Sequence, residues 1–154
     1  MAYIDSLLKV SAAQAVTAAA VSTNSIDLQP LTNVGLGTPP KRDIGTGEPM
    51  GFAVSVDVAA SLTTLLLEII STTDAALTAG ILVHGTFSGA QADFAVGKLH
   101  FVPLGQGSPS LQRFLGMRYT PTGGAATVTL SSWLTTHALF SLTPPQTYAK
   151  NYIP

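Results

Sequence analysis

The chain has 154 residues, the size of one ordinary domain, and that length supports a single hydrophobic core without covalent staples. It contains no cysteine, which excludes disulfides, thiolate metal sites and thiol catalysis. Charged residues make up only 10% and hydrophobic residues 46%, with a net charge of −1, which excludes a disordered chain, offers no clustered Lys/Arg for nucleic acid, and leaves a neutral Thr/Ser-rich surface that tolerates association.

Taken in chain order, residues 1–13 read as an arm or as a short helix around Leu7 to Ala15. The Ala-rich stretch Val10 to Val21 is interrupted by Ser11, Gln14 and Thr17, with Asp5 offsetting Lys9, so it does not read as a signal peptide. Weak strand signals follow near Ala15–Val21 and Ser25–Leu28. Residues 31–50 form a long loop rich in Gly and Pro. It carries Lys41, Arg42, Asp43 and Glu48, and a loop of that length reads either as a floppy Ω-loop or, the favoured reading, as a projecting contact element. From Gly51 to Ala59 the alternation Phe52, Val54, Val56, Val58 against Ala53, Ser55, Asp57, Ala59 predicts a strand with its four large residues on one face. Leu65 to Ser71 reads as a strand covered on both sides, in which Glu68 needs a partner or an outward position. Strands are also expected over Ile81–Phe87, Phe94–Leu104, Phe114–Thr120 and Ala126–Leu134. Pro121-Thr122-Gly123-Gly124 is a turn by composition and predicts a hairpin between the last two. In the last strand Val128, Leu130, Ser132 and Leu134 share one face, and Thr127, Thr129, Ser131 and Trp133 the other. The C-terminal residues from Thr143-Pro144-Pro145 read as an extended tail bearing Tyr148 and Tyr152. About eight short strands with Gly- or Pro-marked turns predict an all-β, jelly-roll-like sandwich in one domain over 1–154, with extended N- and C-terminal arms. No apolar run approaches the ~18 residues of a membrane span.

The motifs of familiar chemistry are missing. Gly45-Thr46-Gly47 lacks dinucleotide-loop spacing, no GK[ST] occurs, and in Gly85-Thr86-Phe87-Ser88-Gly89 the serine stands one place too late for a nucleophile elbow. A serine triad built from distant residues remains open on geometry alone, but no pattern proposes one. His84, His100 and His137 sit in or beside apolar segments at no ligand-like spacing, so each reads as a hydrogen-bonded structural residue rather than a zinc ligand. Asp57 and Glu68 lie on neighbouring predicted strands and are candidates for a carboxylate pair; solvent-facing strand positions are the plainer reading. Trp133 reads either as a sugar-stacking platform or, more simply, as a residue packed at a contact. The expectation is therefore of a protein with no catalytic, cofactor or metal site.

The stretches Gly47–Asp57, Pro103–Pro109, Arg113–Tyr119, Val128–His137 and Pro145–Lys150 resemble the jelly-roll capsid cement (decoration) proteins of tailed bacteriophages, that of a short-tailed Bordetella phage among them. These are framework stretches, so the resemblance is carried by their number and order over the chain from about Tyr3 onwards. It implies a non-enzymatic structural protein of the virion, made in the host cytoplasm. It would act as a homodimer on the outer surface of an icosahedral head, bridging major capsid proteins of the HK97-like fold and stabilising the mature shell. It implies no catalytic residue, cofactor, nucleic acid or membrane. The candidate partner contacts are Lys41, Arg42, Asp43, Glu48, Tyr148 and Tyr152. Two other classes fit the same pattern: another virion β-module, from a tail or head–tail junction, and a carbohydrate-binding or cupin-like domain.

Overall fold

The computed structural model describes residues 6–28, 49–105 and 110–142. Nine strands are formed there: β1 (Lys9–Val16), β2 (Ala20–Val21), β3 (Ile26–Asp27), β4 (Met50–Ser61), β5 (Thr64–Thr72), β6 (Leu82–Ala90), β7 (Leu99–Pro103), β8 (Phe114–Thr122) and β9 (Thr127–Thr136). Two 3-10 turns, Ser6–Leu8 and Gln91–Phe94, and one short helix, α1 (His137–Leu142), complete the set. One sheet has the order β1-β9-β4-β7; the other has the order β2-β8-β5-β6, with β3 also paired to β8. Every pairing is antiparallel. The pairs nest: β5 with β6, β4 with β7, β2 and β3 with β8, and β1 with β9. A strip folded double in this way and wrapped into two layers is a jelly roll, the expected fold class.

The alternating residues explain the layers. Phe52, Val54 and Val56 of β4, Leu65, Leu67 and Ile69 of β5, Leu115, Met117 and Tyr119 of β8, and Val128, Leu130 and Leu134 of β9 form one core between the sheets. In β5 the outward residues are also covered: Ile70 is fully buried. Its cross-strand neighbour Gly116 lies directly under Leu77 from the β5–β6 loop, so closely that a side chain at Gly116 would collide with Leu77 Cδ1. The Asp74 carboxylate builds that loop by accepting from Thr78 N, Thr78 Oγ1 and Ala79 N, and these bonds hold its pKa below the usual carboxylate value.

Several expectations are corrected. Residues 9–16 form neither helix nor free arm but the edge strand β1, because β9 offers a full row of partners from Trp133 to Val128. Two register shifts let β1 follow the curved sheet, and at the second Ala13 adopts φ 47°. The predicted strand over 15–21 is divided: β1 ends at Val16 and β2 begins at Ala20. Val58 leaves the inward set, since a register shift between Val56 and Val58 rotates it to 56% exposure. Over 94–104 only Leu99–Pro103 is strand; Phe94 closes a 3-10 turn and Gly97 turns the chain at φ 79°. The predicted turn begins two residues late: Pro121 and Thr122 still belong to β8, and the chain turns over residues 123–126, with Gly123 at φ 127°. It does not close a hairpin, because β8 and β9 belong to opposite sheets. Each already has two neighbours in its own sheet, so the turn carries the chain across the core instead. The shorter β4–β5 connection, residues 62–63, does the same beside it, joined through Thr63 N–H donating to Thr122 O at 2.7 Å. Helix α1 was not anticipated. Of the 31–50 loop, Met50 opens β4 and Pro49 O accepts His137 N–H; the remainder lies outside the described residues.

Candidate interaction surfaces

All six candidate contacts read from the sequence, Lys41, Arg42, Asp43, Glu48, Tyr148 and Tyr152, lie outside the described residues. The fold nonetheless fixes which end of the sandwich their segments join. Strands β1, β4, β6 and β8 begin at one end, where β3, β5, β7 and β9 finish: Lys9 pairs with Trp133, Met50 with Thr136, Gly51 with Pro103, Thr72 with Phe114 and Ser71 with Leu82. The segments 1–5, 29–48, 106–109 and 143–154 all attach there. The opposite end is closed by residues 17–19, 62–63, 91–98 and 123–126.

The three histidines are kept apart. His84 on β6 is buried, with Nε2 2.6 Å from Ser71 Oγ on β5, and Ser71 Oγ also accepts Gln112 N–H at 3.0 Å. Burial depresses the proton affinity of His84, consistent with a neutral ring that accepts the Ser71 hydroxyl. A serine beside a histidine has the look of a nucleophile and its base, but Ser71 has no exposed surface. His100 Nε2 donates to Asp93 O and its ring packs between Phe87 and Phe94; burial lowers its pKa as well. His137 meets Phe101 edge-on, with the Phe140 ring tilted beside both, where α1 meets the first sheet. Among the described residues no three His, Asp or Glu side chains are grouped to hold a metal ion.

The two carboxylates do not form a pair. Asp57 accepts from Ser131 Oγ at 2.5 Å and from Ser55 Oγ on the outer face of the first sheet. Glu68 is in the other sheet, bound at 2.6 Å to Arg118 Nε, its cross-strand neighbour. That contact also raises the Arg118 pKa. Glu68 therefore takes the partner the sequence demanded. The choice of Arg118 was not read, because register cannot be seen before the sheet order is known. Trp133 is half-buried on the outer face beside Ala53, opposite Lys9.

One polar device escaped the sequence reading. Tyr119 is buried, and its hydroxyl crosses the core from β8 to Ser11 on β1 at 2.8 Å and Ser132 on β9 at 2.5 Å. Ser11 gives its proton to Gln14 Oε1, which also accepts Thr23 N–H, while Gln14 Nε2 donates to Val21 O. The direction is thereby set: Ser132 donates to Tyr119, Tyr119 to Ser11, and Ser11 to Gln14. Burial pushes the Tyr119 pKa up to about 12. A tyrosine at an inward position of an apolar strand was the available signal, since such a hydroxyl needs partners.

No helix among the described residues is long and apolar enough to cross a membrane. None of the curated proteins matches the chain. The Bbp16 family model matches residues 10–132, from the first edge strand to the middle of β9. The chain thus belongs to the Bbp16 family, a family of Bordetella phage proteins, and is phage-derived and virion-associated.

Proposed function

We propose that this protein cements the outer surface of an icosahedral phage head. It would bridge major capsid proteins of the HK97-like fold and stabilise the mature shell, working as a non-enzymatic homodimer. Membership of a phage protein family over most of the chain carries this reading. The architecture supports it: in the two-layer sandwich the connections that follow β3, β5 and β7 all leave from one end. Such a body presents several chain segments to one partner while its core stays undisturbed. Cementing acts by mass action, since a ligand that binds the finished shell and not its broken form adds about 2.7 kcal/mol per site at a hundredfold excess over its dissociation constant. Many equivalent sites multiply the effect.

Purified protein mixed with heads lacking it should bind to a fixed stoichiometry, and loaded heads should survive a temperature at which bare heads open. Heads that take up no protein, or that open at the same temperature with and without it, would overturn the proposal.

A further inference from the structure

The two sheets treat their charges differently. The strands of the second sheet, β3 included, hold three Asp, Glu, Lys or Arg residues: Asp27, Glu68 and Arg118. Each is paired within the chain, Glu68 with Arg118 at 2.6 Å and Asp27 with Arg113 at 2.8 Å. The strands of the first sheet hold only two such residues, Lys9 and Asp57. Among the described residues neither is in an ion pair, and the bonds that Asp57 accepts come from the neutral hydroxyls of Ser55 and Ser131.

Lys9 and Asp57 belong to the same outer face. Lys9 lies opposite Trp133, an outward residue of β9, and Asp57 is bonded to Ser131, another outward residue of that strand. They stand on opposite sides of β9, Lys9 on β1 and Asp57 on β4, at the register shift between Val56 and Val58. With strands about 4.8 Å apart and residues about 3.3 Å apart along them, the two Cα atoms are separated by roughly 15 Å, too far for one ion pair.

A second copy closes that gap. In a two-fold dimer a residue that touches the partner's copy of another is touched by it in turn. With the axis running between Lys9 and Asp57, over Ser131, each lysine meets the partner's Asp57 and two ion pairs form. Such an axis lies at roughly 45° to the strands, so the strands of the two copies cross at about 90°, one of the two ways in which sheets stack face to face. The apolar groups suit the same arrangement. Val58, beside Asp57, is 56% exposed and takes the aliphatic stem of the partner's Lys9. Trp133, half-buried beside Lys9, is the kind of aromatic anchor on which such contacts depend, and Ala53, Ser55 and Ser131 near it are small enough to let the two sheets approach.

We infer that two copies of this chain pair through the outer face of the first sheet, Lys9 of each against Asp57 of the other. The inference rests on the homodimer proposed above and specifies its interface. The second sheet, whose charges are already paired, then faces away from the partner copy.

Charge reversal tests the pairing on the whole chain in free solution, by sedimentation equilibrium, with thermal melting to verify each fold. Lys9→Glu sets like charges against each other twice in the dimer, and so does Asp57→Lys, so each variant alone should associate at least about tenfold more weakly than wild type. Mixed in equal amounts, the two variants should dimerise with close to wild-type affinity, because each copy then carries the charge the other lacks. Should Asp57→Lys not fold, Val58→Lys, at the exposed neighbouring position, takes its place in the mixture. Folded variants that dimerise as wild type, or a mixture that stays as weakly associated as its components, overturn this interface and leave both cementing and a dimer through another face intact. Wild-type protein that is monomeric at every concentration overturns the dimer, and this interface with it, whatever its binding to heads.

Discussion

The hydroxyl of Tyr119 is a point inside the core at which the two layers of the sandwich hold each other by hydrogen bonds. Replacing Tyr119 by Phe keeps the ring but leaves the buried Ser11 and Ser132 hydroxyls without it. An unsatisfied buried polar group costs about 1–3 kcal/mol, so Tyr119→Phe should lower stability by that amount in urea unfolding; an unchanged midpoint would show the chain of bonds to be idle. The same group sets an alkaline limit. Its pKa is about 12 when folded, against an ordinary value near 10. Stability from the protonated phenol is therefore complete below pH 10 and drains away as pH rises through 12, and Tyr119→Phe should remove that part of the loss. His84 works with the other sign. Burial holds its folded pKa below the ordinary 6.5, so between the two values the unfolded chain binds the extra proton and stability rises with pH. The urea midpoint should fall as pH drops below about 6.5, and fall less in His84→Gln, with the remaining part shared by His100, whose pKa is lowered in the same way. Equal slopes in the two proteins would remove His84 from the account. None of these partnerships was legible in the sequence, because each joins residues brought together only by the sheet order.

At the scale of single elements the sequence was read best where one face is buried and the alternation is unbroken. The inward and outward sets of β9 match the expected ones residue for residue, because water on one side and core on the other enforce a period of two. The reading failed where a bulge adds a residue. In β4 the alternation continues through Val58 in the sequence, but the register shift after Val56 reverses it, and no local composition marks that point. Bulges also explain β1, whose Ala-rich sequence has helical propensity yet is drawn into an edge strand by β9. There Ala13 sits at φ 47° with its N–H donated to Ser131 Oγ. A left-handed conformation costs a non-glycine residue roughly 1–2 kcal/mol, while glycine costs about 0.5–1 kcal/mol of unfolded-state freedom. Ala13→Gly should therefore raise stability by up to about 1 kcal/mol, seen as a higher melting temperature; a drop would mean the surrounding hydrogen bonds already compensate the strain.

Across the whole molecule the fold class was legible from strand count and turn spacing, whereas connectivity was not. A turn with suitable residues at 121–124 looks the same whether it closes a hairpin or spans two sheets, and only competition among all strands for partners decides. That competition also implies an order of assembly. The nested pairs differ widely in the chain they enclose: β5 and β6 are separated only by the Asp74-built loop, whereas β1 meets β9 across nearly the entire sequence, Lys9 against Trp133. Closing a long loop first costs more entropy than closing it after the pairs inside it have formed, so the β5–β6 pair should form early, then β4–β7, with β1–β9 last. Folding dominated by such distant pairings should take milliseconds to seconds. Two buried side chains test the order. Ile69→Val, in the innermost pair, removes about 0.5–1.5 kcal/mol and should slow folding with little effect on unfolding. Val10→Ala, in the outermost, removes about 2 kcal/mol and should speed unfolding while leaving the folding rate nearly unchanged. Stopped-flow measurements that gave the two substitutions the same division between folding and unfolding rates would show that the strip closes as one event rather than from the inside outwards.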